Sequence, residues 1–183
     1  MDADAMLTLI NPPGLKSFSG LQMHVPNPPL GLAYIAAAVR EAGFDCHVVD
    51  GTGEALDDIH SYPGRADFLM QGLKLEDIVA RIPRASEIIG ITCMFSTLWP
   101  LTRKLAELVR EAFPDALLIL GGEHGTAVHD HVLRTSPFDV IVLGEGEQTI
   151  VDILQTVAEG KSVASVSGVA YRDGAETVSN GLS

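Results

Sequence analysis

Polar and glycine residues follow four of the apolar runs in this 183-residue sequence. They are Asn11-Pro12, Thr92-Cys93-Met94, Gly121-Gly122-Glu123-His124 and Gly144-Glu145-Gly146. Glycine lets a backbone approach a ligand closely because no Cβ intervenes, and a helix N-terminus offers free N–H groups. The four segments therefore predict binding of an elongated ligand with a phosphate or another polar tail. For any single glycine pair, an ordinary strand-to-helix turn is the alternative.

These segments must be positioned by the apolar runs that precede them and by the helical periodicities that follow them. The expected strands are residues 7–10, 46–49, 88–91, 116–120 and 140–143. Helical stripes cover residues 32–39, 75–82, 101–112, 128–133 and 150–157. Residues 51–72 have no clear period and are expected to be an irregular insertion, whereas residues 166–178 predict a hairpin that turns at Asp173-Gly174.

Strands that are apolar throughout and alternate with amphipathic helices indicate a parallel sheet covered on both faces. The expected fold is α/β: a doubly wound, five-stranded parallel sheet, flavodoxin-like with the order 2-1-3-4-5, and a C-terminal β-hairpin. In this architecture ligands bind outside the carboxyl ends of the strands, where strands 1 and 3 diverge. All four polar segments are expected at that edge.

The composition narrows the classes of partner. The chain has 12 Lys and Arg against 24 Asp and Glu, a net charge of −12. Nucleic-acid and anionic-membrane binders need a basic face, so neither partner is expected. The first six residues carry two acids and no base, unlike a signal peptide, and no apolar stretch reaches the ~20 residues of a membrane span. With two cysteines, a cytoplasmic location is expected.

Three common occupants of this architecture fit the strand ends poorly. A phospho-acceptor receiver needs acidic residues after strand 1, an Asp after strand 3 and a Lys after strand 5, where Asn11, Thr92 and Gly144 stand. A flavodoxin needs a hydroxyl-rich phosphate loop after strand 1, whereas prolines follow Asn11. A dinucleotide fingerprint is only half present in residues 51–53 and 144–146.

Four segments, in order along the chain, carry a resemblance to a known family. They are Asn11-Pro12-Pro13, residues 28–36, Gly121-Gly122-Glu123-His124 and residues 144–147. Together they resemble the cobalamin (vitamin B12)-binding domain of the cobalamin-dependent radical SAM enzymes. The resemblance implies a Rossmann-like cobalamin-binding domain over residues 1–160. Residues 161–183 resemble the hairpin and linker that lead to the family's catalytic domain.

The resemblance implies cobalamin as the cofactor and places its contacts at the strand ends. A corrin is a large, partly apolar disc with amides on its edge, which suits small polar side chains and backbone donors. In the family, the nucleotide tail would run toward the two glycine segments. The expected cofactor-binding residues are Asn11, Pro12, Thr92, Cys93, Met94, Phe95, Ser96, Gly121, Gly122, Glu123, His124, Gly144, Glu145 and Gly146. No catalytic residue and no metal ligand are expected in this chain.

The wider cobalamin-binding fold has Asp-x-His-x-x-Gly after strand 1, and this signature is missing from residues 11–16. The departure is typical of the radical SAM branch, whose cobalamin is usually held base-off without a protein histidine on cobalt. His24 is expected to be an exposed loop histidine rather than a cobalt ligand. Glu145 and Glu147 are expected to complement a helix N-terminus rather than to act as general acids.

The expected function is cobalamin binding as the N-terminal domain of a radical SAM enzyme of methyltransferase or cyclase type. The radical chemistry needs a [4Fe–4S] cluster held by Cys-x-x-x-Cys-x-x-Cys, which Cys46 and Cys93 cannot supply. S-adenosylmethionine and the cluster are therefore expected only in a C-terminal radical SAM domain. A stand-alone corrinoid carrier or sensor is the alternative, followed by a nucleotide- or flavin-binding domain.

Overall fold

The computed structural model describes residues 6–17, 28–62 and 66–181. Its strands are β1 (Met6–Asn11), β2 (Gly14–Ser17), β3 (Cys46–Asp50), β4 (Ile59–Ser61), β5 (Phe68–Gln71), β6 (Ser86–Thr92), β7 (Leu117–Gly121), β8 (Val140–Val142), β9 (Val169–Asp173) and β10 (Glu176–Ser179). Its helices are α1 (Leu30–Glu41), α2 (Leu75–Arg81), α3 (Trp99–Ala112), α4 (Glu123–Thr135) and α5 (Glu147–Ala158). The α/β class expected from the alternation of strands and helices is confirmed.

The main sheet is mostly parallel and contains the order β10-β9-β8-β7-β6-β1-β3. Neighbouring strands from β8 to β3 are parallel, whereas β9 is antiparallel to both β8 and β10. The sheet therefore has seven strands in the described chain, where the sequence predicted five. The C-terminal hairpin extends the sheet because β9 pairs with the free edge of β8, from Val140 opposite Tyr171 to Val142 opposite Val169.

The hairpin turn lies one residue later than predicted. Asp173 pairs with Glu176, so Gly174 and Ala175 form the two-residue loop. Gly174 has a φ of +62°, and Ala175 has a negative φ. A left-handed first position is what a primed hairpin turn requires, and glycine supplies it without a steric cost.

Residues 51–72 were predicted to be irregular, and this expectation was wrong. They contribute β4 and β5, which combine with β2 into a second sheet of three antiparallel strands in the order β2-β5-β4. Gly72, with a φ of +119°, ends β5, and the N–H of Leu73 donates to the Gly51 carbonyl at 2.7 Å. This bond fastens the second sheet to the end of β3.

Helices cover both faces of the main sheet. Buried residues of α1 and α5 pack on one face, and buried residues of α2, α3 and α4 pack on the other. The fourth helix begins at Glu123, directly after the glycine pair, and not near residue 128 as predicted. Val128 has a non-helical φ and ψ that kinks α4, which explains why the amphipathic pattern is clear only after it.

None of the helices in the described ranges combines the length and the apolar character that a membrane crossing requires.

Candidate functional site

A cavity of about 580 Å³ opens at the carboxyl ends of the parallel strands. It lies where β1 and β6 are neighbours in the sheet but lead to helices on opposite faces. This position is the switch point at which open α/β sheets bind ligands. The fold thus brings the segments after β1, β6, β7 and β8 to one place.

Most of the predicted site residues line this cavity. Those in the lining are Asn11, Pro12, Thr92, Met94, Phe95, Gly121, Gly122, Glu123, Gly144, Glu145 and Gly146. Met94 and Phe95 are 49% and 68% exposed, which is unusual for large apolar side chains. Both can therefore gain apolar contacts when a ligand enters.

Cys93, Ser96 and His124, which were also predicted site residues, are not among the residues that line the cavity. Cys93 is fully buried, and burial raises the pKa of its thiol. Its N–H donates to the Gly121 carbonyl at 2.8 Å. Cys93 thus joins the end of β6 to the end of β7 from behind the cavity surface.

His124 lies below the surface of the same loops and is only 7% exposed. Its Nδ1 is 2.9 Å from the Ser96 hydroxyl, and its ring is 4.9 Å from the Trp99 ring between centroids. Nε2 is buried, with no hydrogen-bond partner among the described residues. Burial, with a smaller contribution from His131, lowers the pKa of His124 and so favours the neutral imidazole.

The deep part of the cavity is an apolar slot between the main sheet and helices α1 and α5. Leu9, Gly90 and Ile119 are register partners across β1, β6 and β7, so they share one face of the sheet. Gly90 interrupts this row, and a methyl group on it would come within 3.0 Å of Leu9 Cδ2. The slot residues are Leu9, Leu32, Ile35, Gly90, Ile119, Val142 and Ile150.

The two glycines after β7 have different roles. A Cβ on Gly121 would have no neighbour within 4 Å, so this residue keeps space free at the cavity surface. A Cβ on Gly122 would lie 2.7 Å from the Cys93 carbonyl oxygen, and its φ of +97° disfavours any other residue. Gly121 therefore shapes the cavity, whereas Gly122 is required by the backbone.

A hydrogen bond joins the two glycine segments. The Gly144 N–H donates to the Thr126 hydroxyl at 3.1 Å, and Thr126 lies in the first turns of α4. No local pattern predicts this role of Thr126, because it depends on the pairing of β7 with β8.

The wall on the β1 side contains residues that sequence reasoning missed. Thr52 and Gln71 line the cavity together with Asn11. Asn11 Nδ2 donates to Asp50 Oδ1 at 2.8 Å, and the Thr52 N–H donates to the same oxygen at 3.3 Å. Asp50 thereby orders the loop that follows β3. The contribution of Gln71 comes from the second sheet, which the sequence did not reveal.

The charged side chains of the described cavity lining are all acidic. The charged side chains that the structure places in it are Glu123, Glu145 and Glu147, with no Lys, Arg or His among the described lining residues. Glu147 lies in the first turn of α5, where a carboxylate complements the helix dipole. His24 lies outside the described residues.

The comparisons with known proteins identify the family. The sequence model of the B12 binding domain matches residues 21–154. This chain belongs to the B12 binding domain family. The family's ligand is cobalamin, and the cavity fits such a group: its interior is apolar, its mouth carries small polar groups, and Gly121 leaves a cradle that a Cβ would fill.

Curated relatives cover most of this chain. Cytidylyl-2-hydroxyethylphosphonate methyltransferase of Streptomyces wedmorensis is 30% identical over 146 residues, which are 79% of this chain and 27% of that protein. The anaerobic magnesium-protoporphyrin IX monomethyl ester cyclase of Cereibacter sphaeroides is 30% identical over 157 residues, or 83% of this chain and 23% of that protein. The chain thus spans about a quarter of the length of these relatives.

Solved structures share the fold. The methyltransferase TsrM of Kitasatospora setae, a radical S-adenosylmethionine enzyme solved with cobalamin and a [4Fe-4S] cluster bound, superposes with a TM-score of 0.71 at 19% identity, covering 98% of this chain and 29% of that chain. OxsB, a cobalamin-dependent S-adenosylmethionine radical enzyme solved with aqua-cobalamin and S-adenosylmethionine, gives 0.69 at 16% identity, with 98% and 22% covered.

Proposed function

We propose that this chain binds cobalamin at the carboxyl edge of its sheet as one domain of a radical SAM enzyme. The observation that carries the proposal is the combined cavity: a mouth with small polar groups and exposed Met94 and Phe95, continuous with an apolar slot beneath it. The mouth suits a corrin disc, and the slot suits the aromatic base at the end of the nucleotide tail.

The slot supports a base-off binding mode. A base that lies between the sheet and the helices α1 and α5 cannot also coordinate the cobalt at the mouth. Gly90 keeps this slot open, because it places no side chain between its register partners Leu9 and Ile119. The phosphate of the tail would then pass the segments at Gly121 and Gly144.

The residues that would face the cobalt from below support a site without a protein histidine. Asn11 and Pro12 end β1, and Thr92 ends β6. No histidine is found among the described residues of the lining. Asn11, Pro12, Thr92, Met94 and Phe95 would hold the corrin, and the bound cobalamin would supply a cobalt centre able to carry a methyl group.

The rest of the enzyme would supply the radical chemistry. We propose that S-adenosylmethionine and a [4Fe–4S] cluster bind in a C-terminal domain to which residues 161–183 lead, in a methyltransferase or cyclase. Cys46 lies on β3, whereas Cys93 follows β6 and is bonded to the end of β7. Two cysteines in these places are too few and too far apart to hold a cluster. A cytoplasmic location is proposed from this sparing use of thiols.

The decisive experiment measures cobalamin binding and the coordination of its cobalt. The chain is mixed with hydroxocobalamin, desalted and examined by visible absorption, then reduced to the Co(II) form for electron paramagnetic resonance. We expect corrin absorbance to stay with the protein and the Co(II) signal to lack nitrogen superhyperfine splitting. A retained corrin with such splitting would overturn the base-off mode.

A matched comparison with flavin mononucleotide tests the alternative occupant. We expect no retained flavin and no thermal stabilisation by it, because Asn11 is followed by two prolines that lack an N–H for a phosphate. If the chain retains flavin and not corrin, the proposed function is wrong.

A further inference from the structure

Three polar side chains form one wall of the cavity mouth. Asn11, Thr52 and Gln71, here called the acceptor wall, come from the end of β1, the segment after β3 and the end of β5. Asn11 and Thr52 are bonded to the same oxygen of Asp50. Gly14 lies between Thr52 and Gln71, with an added Cβ 3.9 Å from Thr52 Oγ1 and 3.8 Å from the Gln71 backbone oxygen. Gln71 is only 7% exposed, so its orientation is fixed by burial.

Both amides of this wall donate a hydrogen bond into the protein. Asn11 Nδ2 donates to Asp50 Oδ1 at 2.8 Å, and Gln71 Nε2 donates to the Leu56 carbonyl at 2.6 Å. Carboxylate and carbonyl oxygens only accept, so the NH₂ group of each amide must face them. Asp50 and Leu56 are outside the described lining of the cavity, so the NH₂ groups are held by acceptors away from it and the amide oxygens are the acceptors that this wall has for a ligand.

Thr52, the third member of the wall, also donates its hydrogen to a protein oxygen. The Thr52 hydroxyl donates to the Pro12 carbonyl at 3.0 Å, so its oxygen retains lone pairs for a ligand. The charged groups of the described lining are also acceptors, namely the carboxylates of Glu123, Glu145 and Glu147. Among the described lining residues, this wall thus offers acceptors, and no Lys, Arg or His accompanies them.

We propose that the acceptor wall selects neutral primary carboxamides on the edge of the bound corrinoid and rejects carboxylates at the same positions. A carboxamide donates through its NH₂ group to the amide oxygens of Asn11 and Gln71. A carboxylate has no donor and would place its charge against these lone pairs in a partly buried site. Asp50 is the positioning residue that holds the Asn11 amide in the selective orientation. This inference rests on the proposed function.

The test uses hydroxocobalamin and its monocarboxylic acids, in each of which one peripheral carboxamide is hydrolysed. Dissociation constants for the 183-residue chain are measured near pH 7.5, where the acids are ionised. We expect at least one acid, whose altered arm meets the acceptor wall, to bind about tenfold or more weakly than hydroxocobalamin, since a site built to pair with an N–H group rejects an analogue without it.

A pair of variants assigns the effect to the wall. Asp50→Ala removes the acceptor of the Asn11 amide, so the Asn11 NH₂ group is free to turn toward the ligand. We expect the ratio of acid to amide dissociation constants to fall by about threefold or more in this variant. Asp57→Ala, which removes the carboxylate of an exposed residue in the same segment, is the matched control and should keep the wild-type ratio.

The outcomes separate this inference from the proposed function. If hydroxocobalamin itself does not bind, the proposed function fails and this inference fails with it. If hydroxocobalamin binds and every monocarboxylic acid binds equally well, only the selectivity of the acceptor wall is refuted. That comparison needs no variant, so it decides the question even if Asp50→Ala does not fold.

Discussion

The Ser96 hydroxyl and Nδ1 of His124 lie 2.9 Å apart and join the loop after β6 to the first turn of α4. The backbone repeats this connection, because the His124 N–H donates to the Cys93 carbonyl at 3.1 Å. The two segments that carry Met94 and Gly121 are therefore held together before any ligand arrives. His124 acts from behind the cavity surface, as a support for residues that line it.

His124 is expected to make the stability of the fold depend on pH. Burial lowers its pKa in the folded chain, so the unfolded chain takes up the proton first. Stability should be complete above the ordinary histidine pKa of about 6.5 and decrease as the pH falls below it. In His124→Gln the free energy of unfolding should fall less between pH 7.5 and 5.5 than in the wild type, as measured by urea denaturation.

Ser96→Ala is the companion variant, since it keeps the imidazole and removes its partner. It should lower the free energy of unfolding by about 1 kcal/mol at pH 7.5. Equal pH slopes in the wild type and His124→Gln would show that the imidazole is not held neutral by the fold.

The adjacent glycines after β7 should respond oppositely to alanine. Gly121→Ala places a methyl group in open cavity space, so stability should stay within about 1 kcal/mol of the wild type while cobalamin binds about tenfold more weakly. Gly122→Ala forces a Cβ against the Cys93 carbonyl at a φ of +97° and should destabilise the fold by about 2 kcal/mol or more. Thermal unfolding and cobalamin titration distinguish the two effects.

Gly90 provides a test of where the nucleotide tail lies. Gly90→Ala adds a methyl group within 3.0 Å of Leu9 Cδ2 and narrows the slot. We expect cobalamin to bind about tenfold more weakly, while cobinamide, which lacks the nucleotide and its base, binds as it does to the wild type. An equal loss for both corrinoids would place the tail outside the slot.

Arg110 should stabilise the fold without affecting the cofactor site. Its guanidinium donates to the carbonyls of Pro114, Ala116 and Pro137 and pairs with Asp139 at 2.5 Å. Because an ammonium cannot reproduce this fork, Arg110→Lys should lower the free energy of unfolding by about 2 kcal/mol and leave cobalamin affinity unchanged.

Arg103→Lys is the control for this loss, since the Arg103–Glu107 pair is exposed and should contribute less than about 0.5 kcal/mol. Denaturation curves of the two variants side by side provide the measurement. A similar stability for both would mean that the carbonyl contacts of Arg110 contribute little.

The sequence predicted the α/β class because apolar strands and helical stripes are local patterns. It could not predict the second sheet, since β4 is three residues long and exposed at Ile59 and Ser61, so it shows no buried alternation. The pairing of β9 with β8 joins segments that only the tertiary fold brings together. The hairpin was visible in the sequence, but its place in the sheet was not.

The residues of the candidate site also divide into those that local patterns predict and those that only the tertiary fold brings together. The strand-end residues Asn11, Thr92 and Gly121 were predictable because the carboxyl ends of parallel strands share one edge. Gly90 was predictable from the sequence as well, because a glycine inside an apolar strand often marks the close approach of another group. Gln71 had none, and the burial of His124 depends on Trp99, a contact between residues 25 positions apart.

Part of the second sheet can be exchanged for another sequence while the main sheet is kept. Two of its strands, β4 and β5, belong to the segment between β3 and α2, and β2 follows β1, so none of them interrupts a strand of the main sheet. A grafted segment of different sequence over residues 51–73 would therefore bring its own hydrogen-bonding groups to the cavity and keep the frame beneath. If the acceptor wall selects among corrinoids as proposed, exchanging this segment would replace Thr52 and Gln71 and would change that preference while Asn11 stays in place.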